Sequence, residues 1–189
     1  APGGPVDRLQ SRLRLRQSER PRVGRRAVVA VLITWVPLVL LAFVESSRPL
    51  NVPFWQDVAA HVRFLLVVPL LIVAEVPIGR RSTMVATQFL DSGLVRDDDA
   101  AAYERAMEQG TRLVDSWIAE FLILALSASM VWISVHTVAA ESAVFWFERV
   151  TAQGTTVSLA GWWNYAVASP IFLFLLLRWL WRYLVWWWF

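Results

Sequence analysis

Four long apolar blocks decide what this chain can fold into. Ala27 to Val44 runs without a charged residue between Arg25–Arg26 and Glu45, and Phe121 to Ala140 does the same between Glu120 and Glu141. A third uncharged stretch extends from Val150 to Leu177, its apolar part beginning near Leu159. Phe64 to Ala74 is the fourth, interrupted by Glu75 before Val76, Pro77 and Ile78. A helix needs about 20 mostly apolar residues to cross the hydrocarbon of a bilayer, and backbone polar groups there must be satisfied internally. The expected fold is therefore all-α, a polytopic membrane helix bundle with four transmembrane helices and a cytoplasmic helical hairpin extension. Composition agrees: 57% of the 189 residues are hydrophobic, against about 45–50% in soluble domains. The absence of Cys excludes a disulfide scaffold.

Charge gives the orientation. All 18 basic residues are Arg. Eight precede the first span, and Arg80, Arg81, Arg96, Arg105 and Arg112 lie between the second and third, whereas Arg48, Arg63 and Arg149 fall in the remaining connections. The positive-inside rule places the N-terminus and the central loop in the cytoplasm, so that both termini are inside. The expected organisation is a basic cytoplasmic segment at 1–26 and spans at 27–44, 63–79, 117–140 and 162–189. Outer loops fall at 45–62 and 141–161, and the cytoplasmic hairpin at 80–116. The basic segment carries Val6, Leu9 and Leu13 at helical spacing and reads as lying on anionic lipids of the inner leaflet. Topology accounts for its arginines and no binding motif accompanies them, so nucleic acid is not an expected partner. No cleavable signal peptide is visible.

In the hairpin, Ser92 and Gly93 mark a turn, and Asp97, Asp98 and Asp99 open a helix whose positive end they complement. A Mg²⁺- or diphosphate-binding reading of that triplet needs a second acidic cluster, which the sequence lacks. The helix is expected to run through Tyr103, Met107 and Leu113 into the third span, with Gly110 as its weak point. Phe145, Trp146 and Phe147 are expected to dip into the outer interface, and Gln153 to Thr156 to form a short outer loop. The 12 Trp, among them Trp162, Trp163, Trp186, Trp187 and Trp188, read as an anchoring belt at headgroup depth.

Ionisable groups at membrane depth are costly and mark the places to look for function. Counting along helices at 1.5 Å per residue puts Glu75, Glu120, Arg178 and Arg182 in one layer near the cytoplasmic side. They are expected to meet as a buried ion-pair cluster, because an Arg fork can hold two carboxylates. The same residues are the candidates for a proton or ion pathway. His61 and His136 share the opposite leaflet, where facing histidines would ligate a haem or a chlorin. Ala125, Ser129 and Trp132 form the expected helix-packing face of the third span, since small residues four apart allow close approach. Ser127 and Ser134 lie toward another face. Pro37, Pro69, Pro77 and Pro170 lie in or near spans, where neighbouring helices must re-satisfy the backbone.

There is no phosphate loop, no His-Glu-x-x-His, no nucleophile elbow and no thiol. An enzyme is not expected, nor a metal site, and a cofactor only if the two histidines serve one.

Four segments, Gly24-Arg-Arg-Ala-Val through Val44, His61-Val-Arg-Phe-Leu-Leu through Glu75, Gln88-Phe-Leu-Asp-Ser-Gly-Leu-Val and Asp115-Ser-Trp-Ile-Ala-Glu, carry a resemblance over most of the chain. It resembles a group of uncharacterised polytopic inner-membrane proteins of GC-rich bacteria. The resemblance implies no activity; it implies the bacterial inner membrane, and all-Arg usage fits a GC-rich genome. Members of the group carry more chain after the Trp-rich segment. The start at Ala1 and the stop at Phe189 are accordingly expected of a fragment.

The first expectation for function is helix assembly, as a structural or accessory subunit of a membrane complex or as a homo-oligomer. An ion or proton channel or transporter using Glu75 and Glu120 is the alternative. A cofactor-holding electron-transfer or light-harvesting subunit is third.

Overall fold

A computed structural model describes residues 20–45, 54–75, 84–85, 88, 92, 99–138, 146, 148–151 and 154–188. The helices are α1 (Arg20–Thr34, then Val36–Glu45 past a turn at Trp35), α2 (Val58–Glu75), α3 (Ala100–Val114), α4 (Trp117–Val138) and α5 (Leu159–Trp188). Four helical stretches are long and apolar enough to cross a membrane: Val23–Glu45, Val58–Glu75, Arg105–His136, which joins α3 to α4, and Leu159–Trp188. The fold is an all-helical body carrying one small antiparallel ribbon.

That ribbon replaces the loop expected at Gln153 to Thr156. Strand β1 (Glu148–Thr151) pairs with β2 (Gly154–Val157) in the register Glu148↔Val157 to Thr151↔Gly154. The β-branched run Thr155-Thr156-Val157 suits a pleated strand. The expected weak point at Gly110 is also corrected. Gly110 is buried inside α3, and the break falls at Asp115–Ser116, where the Asp115 and Ser116 N–H groups turn back to Thr111 and Leu113. Asp99 precedes α3 without a side-chain capping bond. Asp97, Asp98, the basic segment up to residue 19, Pro77, Phe145 and Phe147 lie outside the described residues.

Each proline within a described span follows a helix irregularity by two residues. Pro37 follows the turn at Trp35, Pro69 follows a π-helical turn at Val62–Val67, and Pro170 follows one at Asn164–Ala168. A proline has no N–H and its ring collides with the carbonyl four residues back. A π turn, which bonds five residues back, widens the helix just there: Val68 N–H bonds Arg63 O and Ser169 N–H bonds Asn164 O. In α1 the carbonyl that Pro37 leaves without its helical donor is Ile33 O, and the indole N–H of Trp163 in α5 donates to it at 3.1 Å.

The core lies toward the end of the bundle where α1 stops and α2 and α5 start. Leu38, Ala42, Phe54, Ala60, Phe64, Val68, Trp146, Ala160 and Ala168 are buried together there. Trp146, expected at the outer interface, is 5% exposed within the chain. It packs edge-on against Phe54 and donates its indole N–H to Asp57. Asp57 also caps α2 through Ala60 N–H, and Ser158 caps α5 through Gly161 N–H. Glu45, 3% exposed, reaches across from α1 and accepts from Leu159 N–H (3.0 Å) and Ala160 N–H (3.3 Å). A carboxylate thus closes the N-terminus of α5, where orphan donors and the positive dipole end favour it.

Candidate functional site

At the opposite end, α2, α4 and α5 bring Glu75, Glu120, Arg178 and Arg182 together. Arg178 and Arg182 stand one turn apart on α5 and so project toward the same neighbours. The Arg182 guanidinium lies 2.7 Å from Glu75; Arg178 reaches Glu75 at 3.6 Å and Glu120 at 3.2 Å. Arg178 is therefore the bridge, Glu75 is shared by both arginines, and the group is formally neutral. The expectation of burial is corrected: the side chains are 16% (Arg182), 32% (Arg178), 33% (Glu75) and 44% (Glu120) exposed. Each helix contributes at most one turn to this layer, and the edge of α4 bearing Glu120 stays open.

Tryptophans of α5 brace the layer. Trp179 donates to Leu71 O of α2 at 2.8 Å and Trp181 to Leu113 O at the end of α3 at 3.3 Å. The sequence reading treated the Trp residues as an interfacial belt. Trp186 (39%), Trp187 (82%) and Trp188 (80%) do stand exposed. Trp35, Trp146, Trp163, Trp179 and Trp181 instead use their N–H groups to tie elements together. One signal was available: Pro37 must orphan the Ile33 carbonyl, and indole is a donor long enough to reach it.

Helix α4 has two distinct faces. Ile123, Ser127 and Val131 are buried, in line with Glu120 on the helix surface. Ala125, Ser129 and Trp132, the expected helix-packing face, lie on the opposite side and are exposed within this chain, Trp132 to 68%. Ser127 and Ser129 each bond a carbonyl three residues back, so neither hydroxyl is left to pull its face inward.

Among the described residues no hydrogen bond or ring contact joins His61 and His136, and each has its own aromatic neighbours. His61 accepts the Trp35 indole N–H at Nδ1 (3.1 Å) and packs against Phe54, ring centroids 4.8 Å apart. His136 is exposed and meets Trp132 edge-on at 4.6 Å. No group of three His, Cys, Asp or Glu converges among the described residues.

An open cleft of about 410 Å³ lies between the spans, lined by Ala30, Ile72, Leu124, Pro170, Ile171 and Phe174 among others. Its lining residues are all apolar, and none of the ionisable candidates is among them. Comparison with known protein families, curated proteins and solved structures returned no match to this chain.

Proposed function

We propose that this chain is an integral membrane protein that acts by helix assembly, as a structural or accessory subunit of a membrane complex or as a homo-oligomer. The carrying observation is the outward face of α4. Ala125, Ser129, Trp132 and His136 stand exposed on the side opposite the buried stripe. Lipid tails give no return for small residues or for an ionisable imidazole, whereas a second helix packs closely on the first and hydrogen-bonds the second. Only 17% to 22% of each span is buried inside the chain, so most of its packing surface is still open. The resemblance supports a bacterial inner membrane, and the arginine distribution supports cytoplasmic termini.

The ion or proton conduit is the competing reading. Both candidate acids are held by arginine, and a carboxylate engaged in an ion pair is a poor proton carrier. The open cleft offers an ion no polar side chain.

The test is the native mass of the protein in its own lipids, for wild type, Ala125→Leu and Ser129→Leu. Assembly predicts a multiple of the subunit mass, or a larger complex with other chains, that the bulky variants dissociate. A wild-type mass of one chain overturns it. Proton flux into liposomes that falls in Glu75→Gln while the assembly persists would establish the conduit instead.

A further inference from the structure

Of the three arginines in the spans of α2 and α5, two are neutralised by Glu75 and Glu120. The third is Arg63, five residues into α2 from Val58, a depth of roughly 7–8 Å at the helical rise. Among the described residues it makes no ion pair. Two carboxylates at its end of the bundle are engaged elsewhere: Asp57 by Ala60 N–H and Trp146, Glu45 by the first N–H groups of α5. What holds Arg63 is aromatic. Its guanidinium carbon lies 5.3 Å from the ring centroid of Phe172 in α5 and 6.0 Å from that of Phe64 in α2.

Such a clamp balances part of the charge and fixes where the group sits. It offers no oxygen to the five N–H donors of the guanidinium. A half-buried, unneutralised cation at this depth calls for an anion. Hydrocarbon contains none. The phosphate layer begins at the Val58 end, within reach of a long Arg stem from this depth.

We propose that Arg63, clamped by Phe64 and Phe172, is a binding site for a phospholipid phosphate, whose two free oxygens take the guanidinium fork in bidentate fashion. Lipids of net negative headgroup are preferred over zwitterionic ones, because a choline or ammonium competes for the same phosphate. Since Arg63 sits in the π turn of α2 and Phe172 in α5, the bound lipid bridges the two helices. The proposal rests on the chain spanning a bilayer and not on the assembly reading.

Full-length protein in nanodiscs of phosphatidylcholine with a minor fraction of phosphatidylglycerol provides the test, phosphatidylglycerol co-retained after gentle extraction being counted by native mass spectrometry. Arg63→Gln is expected to lower its retention about tenfold, the scale of a lost charge-assisted hydrogen bond. Arg63→Lys and Phe172→Leu, which keep the charge but lose the fork or one ring, are expected to lower it about threefold. These two milder variants decide the matter should Arg63→Gln not fold. Retention in all three variants equal to wild type overturns the site. Full displacement of phosphatidylglycerol by millimolar inorganic phosphate also overturns it, since that would mark a water-facing anion site.

Discussion

The two ends of the bundle hold their carboxylates by different means. At the Glu45 end, Glu45 and Asp57 accept from backbone and indole N–H groups, with Phe54, Ala60 and Trp146 buried around them. At the Glu75 end, Glu75 and Glu120 pair with two arginines and all four side chains remain partly open. Neutral donors fixed on a backbone cost little further ordering and suit a dry site. Guanidinium groups on long stems bring their own charge and tolerate a wetter one. The Glu45 end is therefore the part of the molecule that sets its geometry, and the Glu75 end the part that can exchange partners.

If so, the largest effect belongs to Glu45→Ala. It strands two N–H donors of α5, one buried and one part-buried, and unsatisfied buried groups cost about 1–3 kcal/mol each, so a loss of about 2–4 kcal/mol is expected. Glu45→Gln keeps one acceptor oxygen and should cost about half as much. Equilibrium unfolding in bicelles reads both, and a loss in Glu45→Ala no greater than in a lipid-facing control would remove the contrast between the ends.

Trp163→Phe comes next, at about 1–2 kcal/mol, because the Ile33 carbonyl loses its donor. Pro37→Ala restores the helical N–H that bonds this same carbonyl. In that background the cost of Trp163→Phe should largely vanish, giving a coupling of about 1 kcal/mol in a double-mutant cycle. Additive losses would mean that the indole acts by packing alone.

These residues also mark where the sequence was legible. Four spans followed from uncharged runs, since a bilayer's thickness turns run length directly into helix number. The layer of Glu75, Glu120, Arg178 and Arg182 followed from depth, because rise per residue converts distance from a charged flank into height. Which way a helix faces was not legible. Ser127 and Ser129 are equivalent by pattern, and the surface of α5 decides between them. Nor was the role of Glu45 visible, its partners being Leu159 and Ala160 across two intervening spans. Trp146 was read as interfacial because its acceptor, Asp57, is 89 positions away.

At the Glu75 end the losses should be smaller and graded by partner number. Breaking a fully buried pair costs about 3–5 kcal/mol and an exposed one about 0–1, so a half-exposed site falls between. Glu75→Gln, which removes two of the three ion pairs, is expected to cost about 1–2 kcal/mol, and Glu120→Gln, which removes one, about half that. Equal losses in the same unfolding assay would contradict the bridging role of Arg178. Losses above those of Glu45→Ala would reverse the ranking of the two ends.

The smallest effect isolates burial as the variable. Arg112–Glu108 in α3 and Arg178–Glu120 have nearly the same separation, 3.1 and 3.2 Å, but the former pair is 77% and 57% exposed and the latter 32% and 44%. An exposed pair one helical turn apart contributes about 0.3–0.5 kcal/mol, and salt screens it. Glu108→Gln should therefore shift stability by less than about 0.5 kcal/mol at low salt and by nothing measurable at about 1 M, where the screening length is about 3 Å. The Arg178–Glu120 coupling should keep most of its value under the same salt, because ions penetrate a half-buried layer between helices less readily. If both couplings fade alike, water and ions reach the Glu75 end freely. The opening at Glu120 would then be wide enough to admit ions, as the conduit reading needs.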